Sequence, residues 1–412
     1  MFTKKMMLNV ISDTGIWNGG KKETHKFMLS PDVFKITNAQ KKELSNLGSA
    51  INDCLKGLSH IAVISYDEKL NYRRGWRLFR NIFSTGVPKF CCKTQGINFK
   101  DIPKLIKINV MIDQQGNFKI AEIDAHNKHG LGYSTLGMLL REASHPKAIK
   151  LPGVIKLLSQ EIKKTGNKIS FQYDEKERFY IPEFEIAKKE FQKNGIDCDL
   201  FLNHKIDPYS DSELFMDMPL SFVPNTLIDR YEKGTVKFII PPKPFMGSKG
   251  VLALLCNAQK YENIENILRA FIKKGSLELV RNYIPETLLV NEKTIDYIKK
   301  QILNEKFVLK EFVSSGMKGI TFSSDEEIFK EKLNKISCKK KSNFILQKEI
   351  VSKAHKFSFY KDIYSDTLSE SMFFTRLTIH YVNRDLADIV VTARQDKEVH
   401  GKDCLILGTE II

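Results

Sequence analysis

The amino-acid sequence predicts a mixed α/β (α+β) protein, and three observations carry that expectation. Residues 154–201 alternate in pattern: helical spacing over 154–164 and 183–193, strand character in KISFQY (168–173) and IDCDLF (196–201). Such alternation reads as a small open sheet of βαβ type. Residues 105–124, LIKINVMIDQQGNFKIAEID, read as a β-hairpin around the turn-prone QQGN. Four further strand-like runs, 307–313, 343–350, 373–382 and 388–394, crowd the C-terminal part of the chain.

A chain of 412 residues is too long for one ordinary core and is expected to fold as two or three packed lobes. With 42% hydrophobic and 10% aromatic residues it has ample material for burial, which excludes wholesale disorder. The formal charge is +16, a balance that suits nucleic acid, an anionic membrane surface or an acidic substrate. The lysines are nevertheless spread along the chain. Only Arg73-Arg74-Gly75-Trp76-Arg77 and Lys339-Lys340-Lys341 form dense clusters, so the excess reads as a solvated surface. Cys54, Cys91, Cys92, Cys198, Cys256, Cys338 and Cys404 form no CxxC pair, the pattern of reduced thiols in a cytoplasmic protein. The N-terminal apolar run is broken by Asn9, Ser12 and Asp13 and makes a poor signal peptide. No run reaches the ~20 apolar residues of a membrane span.

Taken in order, Thr37 and Gln40 form a capping box ahead of Leu44, Leu47, Ile51, Leu55 and Leu58 at helical spacing. Residues 59–66, SHIAVISY, read as a buried strand. Arg73 to Arg80 reads either as a helix or as a partner surface. In the hairpin, Ile106, Ile108, Val110 and Ile112 define an apolar face, so Lys107, Asn109 and Asp113 project the other way. A loop over 114–117 sets Asn109 opposite Glu122 and Lys107 opposite Asp124, with Phe118, Ile120, Glu122 and Asp124 on one face. Two carboxylates and an amide oxygen then converge, a set that suits a hard divalent cation. His126 and His129 follow closely, but a zinc site wants further ligands and no cysteine lies near them in sequence. Gly130-Leu131-Gly132-Tyr133-Ser134 reads as the wall of an acceptor pocket or as a tight turn. The run Ile240-Pro241-Pro242-Lys243-Pro244 marks a boundary, and helices are expected near 250–257 and 264–273. Lys310 sits on a strand that runs into Ser314-Ser315-Gly316-Met317-Lys318-Gly319. An ammonium followed by flexible backbone N–H groups is a way to hold phosphates, although no P-loop motif is present. The strand 344–350 can offer main-chain groups to a base edge and a carboxylate to a ribose.

The order of these pieces resembles the ATP-grasp ligases, in the circularly permuted arrangement of glutathionylspermidine synthetase-like proteins, where the metal-binding hairpin precedes the nucleotide-binding lobe. Relatives such as D-alanine ligase carry R-x-D and E-x-N on the hairpin. Lys107-Ile108-Asn109 and Glu122-Ile123-Asp124 stand at those positions. Residues 244–252, PFMGSKGVL, are similar to the family's P…SNKxLL helix entry with one residue missing, and 281–287, RNYIPET, to its Y-[VI]-P-x-T strand. The resemblance covers residues 100–412 and implies an ATP-grasp fold with a small open α/β pre-ATP-grasp domain. The implied division is an added lobe over 1–100, the metal hairpin part of the core over 101–150, the pre-ATP-grasp domain over 151–243 and the nucleotide-binding core over 244–412. Mg²⁺ is then expected on Asn109, Glu122 and Asp124. ATP is expected on Lys249, Lys310, Ser315, Gly316, Lys318 and Gly319, with Gln347, Lys348, Glu349 and Ile350 at the adenine hinge. Lys107, Arg376 and Arg394 are the expected catalytic cations. The chain departs from the family by exchanging aspartate and asparagine across the hairpin and by placing Lys107 where an arginine's planar fork would stand. The activity implied is ATP-dependent ligation of a small-molecule or peptide carboxylate to an amine. An ATP-binding pseudoenzyme and a basic binder of nucleic acid or an acidic partner are the competing readings. No membrane partner is expected.

Overall fold

The computed structural model describes residues 4–14, 28–67, 74–89, 91–202, 205, 207, 211, 213–215, 224–292, 295–302, 305–314, 319–337, 343–362, 364–397, 399 and 404–412. They form a mixed α and β architecture in which two antiparallel sheets face each other across a cleft, with a separate parallel sheet beside them.

The large sheet runs in the order Leu405–Leu407, Asp385–Arg394, Ser369–Val382, Leu105–Ile112, Phe118–Asp124. Its long strand Ser369–Val382 pairs with Ala354–Phe359 through its first half and with the hairpin strand Leu105–Ile112 through its second. Strands far apart in sequence thereby share one surface. The small sheet has the order Thr287–Leu289, Phe344–Lys348, Phe307–Glu311, Ile320–Phe322. The third sheet is parallel, with Lys168–Tyr173 between Asp197–Leu202 and Glu213–Phe215. Helices Val154–Lys163 and Ile181–Lys193 pack on it through Leu158, Ile162, Phe184 and Phe191, which realises the expected alternation. The expected helices near 250 and 264 are Gly250–Cys256 and Glu262–Phe271. Among the described residues no helix is long and apolar enough to cross a membrane.

Three expectations are corrected. Residues 59–65 are not a strand but the last turns of one helix, Asn38–Ser65. The capping box forms as read, with Gln40 N–H donating to Thr37 Oγ1 at 3.2 Å and Thr37 N–H to Gln40 Oε1 at 3.0 Å. Burial then continues through Leu58, Ile61, Ala62 and Ser65 at helical spacing, so the SHIAVISY run extends an existing stripe and meets no breaker. Gly57 lies inside this helix because a Cβ there would sit 2.4 Å from Ile272 Cγ1. Second, residues 281–283 end the helix Lys274–Tyr283, where Arg281 makes paired bonds to Glu265, and the strand begins only at Thr287.

The third correction concerns the hairpin. Its turn is longer than expected: Asp113 N–H donates to Asn117 O, Asp113 Oδ1 accepts from Gln115 and Asn117 N–H, and Gly116 takes φ +87°. Ile112 pairs with Phe118 and Val110 with Ile120, but Asn109 pairs with Glu122, so Ala121 is the extra residue of a β-bulge. The bulge restores the expected pairs Asn109–Glu122 and Lys107–Asp124. It also reverses the side-chain alternation: Phe118 and Ile120 enter the core with Ile108 and Val110, while Glu122 and Asp124 face the other way. The single-face reading of the return strand fails because it assumed an unbroken period of two. Of the stretch 73–80, which reads as helix or surface, residues 74–80 belong to the helix Arg74–Ser84 packed on Asn38–Ser65. Arg73, Cys338 and Lys339–Lys341 lie outside the described residues.

Candidate functional site

The cleft between the two antiparallel sheets encloses about 300 Å³. Val308, Ile320 and Phe322 form one apolar wall from the small sheet, and Met111 and Phe374 face them from the large sheet. Strand periodicity gathers the polar groups: on the large sheet Asn109 is paired with both Glu122 and Thr378, and Arg376 stands two residues before Thr378 on the same face.

Lys310 is 8% exposed and donates to Ala121 O at 3.0 Å and Gln347 Oε1 at 2.6 Å. The first acceptor is the bulge residue, so the irregularity in the hairpin supplies the carbonyl that anchors a lysine from the opposite sheet. Gln347 in turn donates to Thr287 Oγ1 at 3.2 Å, which fixes its amide. Burial pulls the Lys310 ammonium down to about 8, with Glu122 opposing. Lys249, just ahead of the helix Gly250–Cys256, reaches across to Glu122 Oε1 at 2.8 Å and to Ser314 O at 2.9 Å. Burial, the largest influence, would raise the Glu122 carboxyl, but the charge and hydrogen bond of Lys249 together with the Lys310 charge hold the group below its ordinary range. The second Glu122 oxygen accepts from Asn109 Nδ2 at 3.1 Å, and Asn109 Oδ1 accepts from Thr378 Oγ1 at 2.9 Å. Arg376 is lowered by burial and feels Glu122 and Asp124.

Asn109, Glu122, Lys249, Lys310 and Arg376 therefore meet in one cleft, and Gln347, Lys348, Glu349 and Ile350 continue its lining. Other expected residues do not meet them there. Asp124 is turned into its own loop, where both oxygens accept from Asn127 Nδ2 at 2.8 Å, with Lys107 at 3.2 Å and His126 Nδ1 at 3.4 Å. Lys107 also donates to His129 O at 2.8 Å and to Asn127 Oδ1. Neither lines the cleft, and nor do Arg394, which closes the strand Asp385–Arg394 opposite Phe374, and Gly319, at φ +81°. Ser315, Gly316 and Lys318 lie outside the described residues. Among the described residues no three His, Cys, Asp or Glu side chains gather as a metal cluster.

Sequence reasoning missed Thr378, Ser352 and Lys397. For Thr378 a signal existed, because Phe374, Arg376, Thr378 and His380 alternate along one strand. Ser352 and Lys397 sit in irregular segments with no such periodicity.

No family model matches the chain, and no curated protein matches it. Among solved structures it is similar to a provisionally named gamma-glutamylcysteine synthetase from Methylobacillus flagellatus KT, at 11% identity and a TM-score of 0.38, over 86% of this chain and 84% of that one. A likeness of that degree does not identify a family, and the cleft has to be read from its own chemistry.

Beside the cleft, the loop 125–130 is tied down firmly. Lys128 Nζ meets Glu177 at 2.8 Å in full burial and His129 Nε2 meets the same carboxylate at 3.0 Å. Despite burial, His129 and Lys128 hold Glu177 down at about 2. Glu183 accepts from Gly130 N–H, and a Cβ on Gly132 would fall 2.5 Å from Glu183 Cγ. The stretch 130–134 is thus the start of the helix Leu131–Ser144 clamped by another helix. A Cβ on Gly247 would sit 1.2 Å from His126 Nδ1, so the PFMG turn can pass the imidazole only as glycine.

Proposed function

We propose that the cleft binds ATP and that the protein is an ATP-dependent carboxylate–amine ligase of the ATP-grasp type. One observation carries this reading. Lys249, Lys310, Lys348, Lys397 and Arg376, drawn from both sheets and both flanks, line the same cleft against two carboxylates, Glu122 and Glu349, between apolar walls. Positive charge in an apolar slot is the complement of a nucleoside triphosphate: the walls take the base, and Lys249, Lys310 and Arg376 take the phosphates.

The donor set fits a divalent cation in kind. Glu122 and Asn109, which line the cleft, carry oxygen atoms of the kind a hard cation takes, and Asp124 stands two residues further along the strand. A bound Mg²⁺ would neutralise triphosphate charge beside Glu122, a place the Lys249 ammonium takes here. Lys310, oriented by Ala121 O and Gln347, and Lys249 would bind phosphate oxygens. Arg376 would hold the anionic acceptor or the transferred phosphoryl group. In the proposed reaction the acceptor carboxylate attacks the γ-phosphorus, ADP leaves, and an amine displaces phosphate from the acyl phosphate to form an amide. Catalysis of this kind is mostly positioning and charge stabilisation, so no nucleophilic side chain is required.

The test is calorimetric titration of Mg-ATP into the protein and into Lys310→Ala, with magnesium omitted as a control. Magnesium-dependent binding that drops at least tenfold in the variant is expected, followed by ADP release when acids and amines are supplied together. Absence of binding by the intact protein would refute the reading and favour the basic-surface alternative. Binding with no ADP release under any acid and amine would favour the pseudoenzyme, a reading encouraged by the lysine already seated on Glu122.

A further inference from the structure

Resting on the nucleotide reading of the cleft, we propose that Ser352 is its ribose reader: the Ser352 hydroxyl hydrogen-bonds a sugar hydroxyl of the bound nucleoside triphosphate. Ser352 lines the cleft just past the hinge strand Phe344–Lys348, and its Oγ is buried without a hydrogen-bond partner among the described residues. A buried hydroxyl left unpaired is unfavourable, and on a residue that lines a cleft it is satisfied when a ligand supplies the partner. The position is built rather than incidental. Ser352 bridges Asp113 at the end of the hairpin strand, and Lys353 N–H donates to Ile112 O at 2.9 Å, so main chain is fixed on both sides of the hydroxyl.

Of its neighbours Glu349, which lines the same cleft, competes for a sugar hydroxyl, but its carboxylate can only accept. Gln347 is committed to Lys310 and Thr287, and Lys348 Nζ is paired with Glu305 at 2.7 Å. Ile350, Val351 and Met111, which also line this end, are apolar and suit a base rather than a sugar. The charged groups Lys249, Lys310 and Arg376 belong with the phosphates. A neutral group that both donates and accepts matches the hydroxyls of a ribose. A site that hydrogen-bonds a substrate hydroxyl also discriminates against the analogue lacking it.

The experiment is equilibrium titration of ATP, 2′-deoxyATP and 3′-deoxyATP, with excess magnesium, into the protein, Ser352→Ala and Ser352→Thr, all checked for an unchanged thermal midpoint. The intact protein is expected to bind ATP about 10-fold more tightly than one of the deoxy analogues, the size of one neutral hydrogen bond. Ser352→Ala should weaken ATP by that factor, leave that analogue unchanged and so close the gap, while Ser352→Thr keeps it open. Equal weakening of all three ligands, or none, would overturn the assignment in favour of a base contact or no contact. Tight ATP binding without discrimination by the intact protein would also overturn it and leave the nucleotide cleft standing. If the intact protein binds none of the three, the nucleotide reading itself falls and the ribose assignment falls with it.

Discussion

Two carboxylates on neighbouring positions of one strand have opposite fates. Glu122 faces the cleft and is paired with Lys249, a residue from a distant segment that also touches Ser314. Asp124 faces its own loop and is paired with Lys107 on the adjacent strand, with Asn127 on both oxygens and His126 beside it. The first pair borders open space that a ligand can enter. The second is woven into a knot that continues through His129 and Lys128 to Glu177 and the parallel-sheet lobe. Two carboxylates that a sequence motif treats alike are therefore separable, one exchangeable and one structural, and substitutions should split them.

The largest effect is expected at Asp124→Ala. It strands the Lys107 ammonium, whose side chain is 4% exposed, next to two acceptors that carry no full charge. Breaking a buried pair from one side costs about 3–5 kcal/mol. Chemical denaturation at neutral pH should show a loss in that range; a loss below ~1 kcal/mol, the usual worth of a surface pair, would mean the knot is not structural.

Next is Glu177, which tests the far end of the knot through pH. Its folded pKa lies below its unfolded value, held down to about 2 from 4.5. The stability it contributes is therefore present above pH ~4.5 and is lost as pH falls through the folded value. The shift corresponds to about 3 kcal/mol. The stability gap between the protein and Glu177→Gln should be of that order at pH 6 and close as pH approaches 2. A gap that does not change with pH would assign the loss to packing and not to the charge.

Gly247→Ala presses on the same knot from outside, because the new methyl overlaps the His126 ring. Overpacking of this kind costs about 1–3 kcal/mol. Urea denaturation is the measure, and Gly166→Ala is the control: it needs no positive φ and a Cβ there meets nothing within 4 Å, so no overlap arises.

Much of the separation between the two regions was hidden from the sequence for a definable reason. The register that pairs Asn109 with Glu122 and Lys107 with Asp124 is legible from the turn and the apolar alternation, and the parallel-sheet lobe from its alternating helices and strands, whereas Lys249 and Arg376 are picked out only by the family resemblance. The bulge at Ala121 is not legible, since an alanine in a strand carries no mark of it, and the bulge decides both which face Phe118 and Ile120 take and which carbonyl holds Lys310. Nor does sequence say which of two same-face carboxylates has a loop folded over it: Asn127 and His126 are adjacent in sequence to Asp124 but read equally well as pocket residues. The SHIAVISY segment shows the converse limit, where a short apolar run fits strand and helix alike and the preceding helix decides.

Glu122→Gln is the smallest perturbation to stability and the sharpest test of the comparison. The amide keeps the shape and can still accept from Asn109, while Lys249 retains Ser314 O as a partner, so a loss of at most ~1 kcal/mol is expected. Its effect should appear instead in the ligand: removing the cleft carboxylate should flatten the dependence of ATP affinity on magnesium, because a neutral amide is a poorer partner for a hard dication than a carboxylate. Asp124→Asn, measured beside it, should keep that dependence, since its oxygens are spent on Asn127 and Lys107. If the two variants lose magnesium dependence equally, Asp124 turns towards the cleft when nucleotide enters, and the division between an exchangeable and a structural carboxylate holds only in the empty protein.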